Sequence, residues 1–96
     1  MTYVREESVE NYLVRRVKAL GGDCYKWVSP GLQGVPDRIC VFDGGHVFFV
    51  ETKAPKGSRM QPAQPRRHRD LRNRGFRVYV PKTRAEVDEL LRNEGL

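Results

Sequence analysis

The chain has no apolar run longer than four residues, Val47 to Val50, whereas a membrane-spanning helix needs about 20. Its first ten residues, MTYVREESVE, lack the apolar segment of a secretory leader. A membrane span and a secreted precursor are therefore not expected. Cysteine is scarce: Cys24 and Cys40 have no CxxC spacing and no His or Cys cluster beside them, which argues against a zinc knuckle and against a disulfide framework. Both are expected to be small buried thiols in a reducing cytoplasm. The two histidines, His46 and His68, have no partner at metal-ligand spacing, so neither is assigned to catalysis. There is no internal repeat and no low-complexity tail. A chain of 96 residues buries roughly 60–65% of its unfolded surface, enough for one modest core, so a single domain over 1–96 is expected to carry the whole function.

What the chain has is positive charge. Eighteen Lys and Arg face twelve Asp and Glu, a net charge of +6, and thirteen of the eighteen bases are Arg, the side chain suited to bidentate phosphate contact. A polyanionic partner is favoured over charge that serves solubility alone.

Apolar residues Val9, Leu13, Val17 and Leu20 recur at helical spacing between Ser8 and Leu20, and Gly21-Gly22 stops the pattern. Counting ~100° per residue from Val9, Glu10 falls inside the apolar arc. A carboxylate there is costly unless it meets a cation, a metal or a donor, or snorkels to water from the margin. Cys24 to Ser29 reads as a first strand, broken by Pro30-Gly31 and Gly34. Asp37 to Phe42 and His46 to Lys53 read as two strands joined by Asp43-Gly44-Gly45 into a hairpin. Ala54 to Ser58 reads as a loop. Pro62 or Pro65 opens a helix that Gly75 closes, with Leu71 and Ala63 facing inward. Phe76 to Val80 is a fourth strand, and Thr83 with Glu86 forms a capping box for a last helix carrying Val87, Leu90 and Leu91. The order is α-β-β-β-α-β-α, an α/β chain.

Pro36-Asp37 opens the second strand and Glu51-Thr52-Lys53 closes the third, so the hairpin folds Asp37 back beside Glu51 and Lys53. Side chains two apart share a strand face, which sets Glu51 and Lys53 with Val47 and Phe49. Two partly desolvated carboxylates that close must protonate or bind a cation, and hard oxygen ligands suit Mg²⁺ or Mn²⁺. Such a cation on Asp37 and Glu51 would polarise a phosphodiester and acidify a water, while Lys53 positions that water or steadies charge on the phosphoryl oxygens. Glu10 is a candidate third carboxylate, acting directly or through a metal-bound water; Gln64 is a candidate holder of the attacking water or of a metal-bound water; and the Thr52 carbonyl is a further candidate ligand. An ordinary hairpin ion pair would also account for an acid-x-Lys string on its own.

The joint pattern resembles the VRR-NUC branch of the PD-(D/E)xK nucleases. The resemblance is carried by Val9-Glu10-Asn11-Tyr12-Leu13-Val14, Lys26-Trp27-Val28-Ser29-Pro30-Gly31, Gly34-Val35-Pro36-Asp37-Arg38 and Phe49-Val50-Glu51-Thr52-Lys53-Ala54-Pro55, and continues through Gln64, Leu71, Gly75 and Phe76 to Val80. It implies a restriction-endonuclease-like core, a central mixed sheet flanked by helices. It also implies metal binding by Asp37 and Glu51, catalysis by Lys53, and active-site roles for Glu10 and Gln64. The family commonly has Leu where this chain has Thr52. The resemblance further implies a Mg²⁺- or Mn²⁺-dependent endonuclease of branched DNA such as Holliday junctions, with a role in DNA repair. Such an enzyme would work as a homodimer in the cytoplasm of a bacterium or of a phage-infected cell, without an organic cofactor.

Arg66, Arg67, Arg69, Arg72 and Arg74 crowd the second helix with a single acid, Asp70, and follow Lys56 and Arg59 in the preceding loop. Lys56, Arg59, Arg66, Arg67 and Arg69 are the expected phosphate contacts, against the plain alternative of a charged solvated helix. Tyr25 and Trp27 are expected in the core or at a dimer surface, with base stacking the lesser option. The rivals to an endonuclease are a non-catalytic basic nucleic-acid-binding module on the same fold, and a protein-interaction domain.

Overall fold

The computed structural model describes residues 7–53 and 63–96. Helix α1 (Val9–Ala19) starts where the Ser8 hydroxyl accepts the Asn11 N–H at 3.1 Å. Strands β1 (Asp23–Lys26), β2 (Arg38–Phe42) and β3 (His46–Val50) follow, then α2 (Gln64–Asn73), β4 (Val78–Tyr79) and α3 (Arg84–Asn93). The sheet order is β1-β2-β3-β4, with β1, β2 and β3 antiparallel and β4 parallel to β3, which is the expected mixed sheet in the expected element order. The β2–β3 turn is a single 3₁₀ turn, Asp43–Gly45, in which Gly44 and Gly45 have φ of 78° and 75°, a left-handed pair that L side chains resist. Thr83 caps α3 by accepting the Glu86 N–H at 3.1 Å, and the Glu86 carboxylate returns to the Thr83 hydroxyl at 3.2 Å.

Alternation along the strands divides the molecule into two layers. Cys40, Phe48 and Val50 turn toward α1 and α3, where Leu13, Val17, Val87, Leu90 and Leu91 close the core. Phe49 lies on the opposite face between Trp27 and Phe76, with ring centroids at 5.4 and 5.5 Å. Leu20 departs from its expected inward position: it is the C-cap of α1, beyond the last helical turn, and stands exposed. Tyr25 is 56% exposed, whereas Trp27 is half-buried on Phe49, so the two aromatics of the first strand region part company. Of the two thiols only Cys40 is fully buried; Cys24, its direct cross-strand partner, is half-buried, with the sulfurs 3.7 Å apart.

The strands are shorter than the β-prone runs that mark them, because assigned pairing stops before the hydrogen bonding does. Trp27 N–H still donates to the Asp37 carbonyl, Glu51 N–H to Tyr79 and Lys53 N–H to Pro81, at 2.9, 2.9 and 3.1 Å. The segment through Lys53 therefore stays extended and tied to the sheet.

The far end of the fold is closed by Glu94 at the C-cap of α3, whose side chain is only 2% exposed. It accepts from Arg77 Nε and Nη2 at 2.6 and 2.8 Å and from the Tyr79 hydroxyl at 2.6 Å, with His46 Nε2 also at 2.6 Å. Burial by itself would raise this carboxyl; the hydrogen bonds from Arg77, Tyr79 and His46 outweigh it and hold the group down at about 2. Glu94→Ala is expected to cost about 1–3 kcal/mol, since it takes the shared acceptor from the part-buried Tyr79 and His46, while the half-exposed Arg77 can turn to water. Urea unfolding checks this. Because the folded value is depressed, the contribution is present above the ordinary carboxylate range and lost as pH falls toward 2, so variant and wild type should converge in acid. A loss under about 0.5 kcal/mol at neutral pH would mark the cluster as surface decoration.

Candidate active site

The β2–β3 register pairs Arg38 with Val50, so the next residue outward on each strand, Asp37 and Glu51, falls opposite the other. Asp37 N–H donates to Glu51 Oε1 at 3.0 Å. The Asp37 carboxylate is held in turn by Thr52, whose N–H meets Oδ1 and whose hydroxyl meets Oδ2, both at 3.3 Å. Lys53 Nζ lies 3.1 Å from Glu51 Oε2 and 3.1 Å from Gln64 Oε1. Asp37, Glu51, Lys53 and Gln64 thus converge as expected, at the sheet end covered by the first turn of α2. Pro65 stands in that first turn, tolerated because the N–H it lacks has no intrahelical acceptor there; Pro62 lies outside the described residues. Gly34, at φ of 87°, lets the loop before β2 approach the start of α2, where a Cβ would run into the Ala63 carbonyl.

Burial makes this group electrostatically unusual. Glu51 and Gln64 are each 6% exposed, and the Lys53 side chain 13%. Burial, then the charge of Glu51, then that of Glu10, push the Asp37 carboxyl up to about 6, against the restraining hydrogen bonds from Thr52. A carboxylate pair that resists full ionisation is relieved by a cation, and Mg²⁺ commonly takes one or two protein carboxylates with water completing its shell. The donor set therefore fits a small hard divalent ion. Among the described residues no three His, Cys, Asp or Glu side chains stand together as a ready-made metal site.

Glu10 sits on the α1 side of the sheet, and Arg38, which shares the face of Cys40 and Val50, reaches it with Nε at 2.9 Å while donating to the Cys24 carbonyl at 3.3 Å. The inward Glu10 meets a cation, and that cation is a protein side chain. Its field still reaches Asp37. Thr52 adds contacts the sequence does not announce: its N–H and hydroxyl both hold the Asp37 carboxylate.

A cleft of about 620 Å³ opens beside the group, between the N-terminal ends of α1 and α3, lined by Glu10, Thr52, Lys53, Lys82 and Arg84. On α2, Arg66 and Arg69 are exposed, whereas Arg67 is partly engaged with the Gln33 carbonyl and Asp70. Lys56 and Arg59 lie outside the described residues. Two contributors are not evident from sequence alone. Arg38 is legible only as the cation nearest Glu10 on the same sheet face, and His68 only as the middle of a Gln64, His68, Leu71 repeat along the inner side of α2.

Comparison with known proteins points the same way. No protein-family profile matches the chain. Over 80 residues it is 46% identical to "Putative nuclease p44" of Acyrthosiphon pisum secondary endosymbiont phage 1, covering 83% of this chain and 85% of that protein. A solved structure described as "VRR_NUC domain" superposes with a TM-score of 0.81 at 34% identity, covering 88% of this chain and 90% of that one.

Proposed function

This chain belongs to the VRR-NUC nuclease family, and from that premise we propose that it is a divalent-metal-dependent DNA endonuclease that prefers branched DNA. The observation that carries the proposal is the Asp37 carboxyl raised to about 6 beside Glu51, with Lys53 3.1 Å from Glu51. Asp37 and Glu51 would hold the cation, and when bound it would supply Lewis-acid polarisation of the phosphodiester and a more acidic water.

The remaining steps belong to the chain itself. Gln64 holds the Lys53 amine by its carbonyl oxygen, so the ammonium is oriented before substrate arrives. Lys53 then steadies the negative charge that grows on the phosphoryl oxygens as water adds and one P–O ester bond breaks. Thr52 fixes both oxygens of Asp37. The DNA backbone would lie along the cleft with Lys82 and Arg84, and Arg66 and Arg69 would add outer phosphate contacts. A homodimer would set two such sites at a fixed separation, matching the two-fold symmetry of a four-way junction. Such an enzyme would act in the cytoplasm of a bacterial or phage-infected cell.

The test compares a labelled four-way junction, a flap and a linear duplex, each incubated with Mg²⁺, Mn²⁺ or chelator alone. Nicks should require the cation and form fastest in the junction. DNA binding should weaken steeply as salt rises from about 50 to about 200 mM, as counterion release demands. Binding without cation-dependent nicks in any substrate would replace the enzyme by the non-catalytic binding module. Equal cutting of linear duplex would remove the preference for branched DNA.

A further inference from the structure

The inner side of α2 is polar where a hydrophobic stripe would be ordinary. Gln64, His68 and Leu71 recur at helical spacing, and the first two are buried. Gln64 is accounted for by Lys53. His68 is not: its residue is 0% exposed, yet among the described residues neither ring nitrogen has a hydrogen-bond partner. Burial first, and then the cations Arg72 and Lys53, lower its proton affinity against the pull of Glu51. A neutral imidazole carries one donor and one acceptor, and both are costly to leave unmade in a dry interior. Leucine would fill the same place without that cost. A buried polar group that local stability does not favour, one turn along from Gln64 and within the field of Glu51 and Lys53, is the pattern of a side chain kept for the site.

We propose that His68 is a positioning residue, which through one internal water holds the Glu51, Lys53 and Gln64 group in its working arrangement. Among the described residues the ring makes no direct hydrogen bond, whereas a buried water typically makes about three hydrogen bonds to otherwise unsatisfied groups. His68 would contribute one of those bonds, and the second would go to the Glu51 carboxylate, whose oxygens can each accept a further bond beside those from Asp37 and Lys53. This role deepens the nuclease reading and rests on it for its kinetic part alone.

The experiment compares wild type with His68→Leu and His68→Gln. Because a single water satisfies the buried ring only in part, exchanging it for an apolar side chain of similar size should leave the cation-free thermal midpoint of His68→Leu unchanged or raise it by up to ~4 °C. Turnover on cleaved DNA should nonetheless fall about 10–100-fold, with KM for DNA unchanged, as for loss of a group that orients a metal ligand. His68→Gln should recover most of the turnover. Wild-type turnover in His68→Leu overturns the proposal, and so does a loss that follows a lowered midpoint and is not rescued by Gln, since that would be a packing role. A second arm needs no cleavage: in cation-free wild type the His68 ring N–H should exchange slowly and show magnetisation transfer to a bound water, and the Glu51 carboxyl resonance should shift in His68→Leu. A ring proton without that water, or an unmoved Glu51, overturns the role whether or not the protein cuts DNA. Absence of cleavage in wild type with the water present overturns the nuclease reading instead.

Discussion

Asp37→Asn should abolish cleavage, by about 10³-fold or more, and at the same time make the cation-free protein more stable above pH 6. On the proposed metal-dependent reading, the first effect follows from the loss of a charged oxygen ligand, for which a neutral amide is a poor substitute, and the ligand is asked to supply several kcal/mol of transition-state stabilisation. The second follows from the sign of the Asp37 shift. Its folded value, about 6, lies above the ordinary 3.8, so the fold prefers the neutral carboxyl. Stability is then fully present below the ordinary value and is lost as pH rises through the folded one. Asn is neutral throughout. It can still accept the Thr52 N–H through Oδ1, and its amide can donate to the Thr52 hydroxyl oxygen. The variant should therefore melt about 4 °C above wild type at pH 7.5, with the gap closing near pH 4 and narrowing when Mg²⁺ is added to wild type. Thermal melts across that range, paired with junction cleavage, decide the matter. An Asn variant that cuts within about tenfold of wild type removes Asp37 from the reaction, and one less stable at pH 7.5 removes the electrostatic argument.

Much of this site is legible in the amino-acid sequence because it depends on register. Asp43-Gly44-Gly45 demands a tight left-handed turn, and once the hairpin is set, Asp37 must return opposite Glu51. Lys53 follows by alternation. The parts that are not legible depend on which side of the sheet a helix covers. Glu10 lies in the apolar arc of α1 in either case, and only the packing of α1 on the Cys40 and Val50 face brings it to Arg38, at the edge of the cleft that Thr52 and Lys53 also line. His68 is hidden by chemistry: a buried stripe written as Gln, His and Leu among five arginines gives no hydrophobic period to detect. Thr52 reads through its backbone because the family resemblance sets it beside Leu, and a hydroxyl contact has no counterpart there.

Lys53→Ala should lose cleavage as completely as Asp37→Asn, about 10³-fold, but by a different loss, and the contrast separates the roles. The amine stands between Glu51 Oε2 and Gln64 Oε1, largely sealed from solvent, so it contributes little to the outer phosphate contacts that govern DNA affinity and its salt slope. Binding to an uncut junction in chelator should be nearly unchanged. Removing a positive charge 3.1 Å from Glu51 leaves that carboxylate with less competition, so Mn²⁺ affinity measured by calorimetry should be kept or increased, whereas Asp37→Asn should lose it. Lys53→Ala also leaves a buried acid without its partner, which should lower the cation-free midpoint and be offset by Mn²⁺. Lys53→Arg keeps the charge but replaces a point ammonium by a bulkier planar fork, so it should hold the midpoint better than Ala while cutting little faster. Undiminished cleavage by Lys53→Ala would end the catalytic assignment. Loss of Mn²⁺ affinity in that variant would instead recast Lys53 as a structural counter-ion, with catalysis left to the carboxylates.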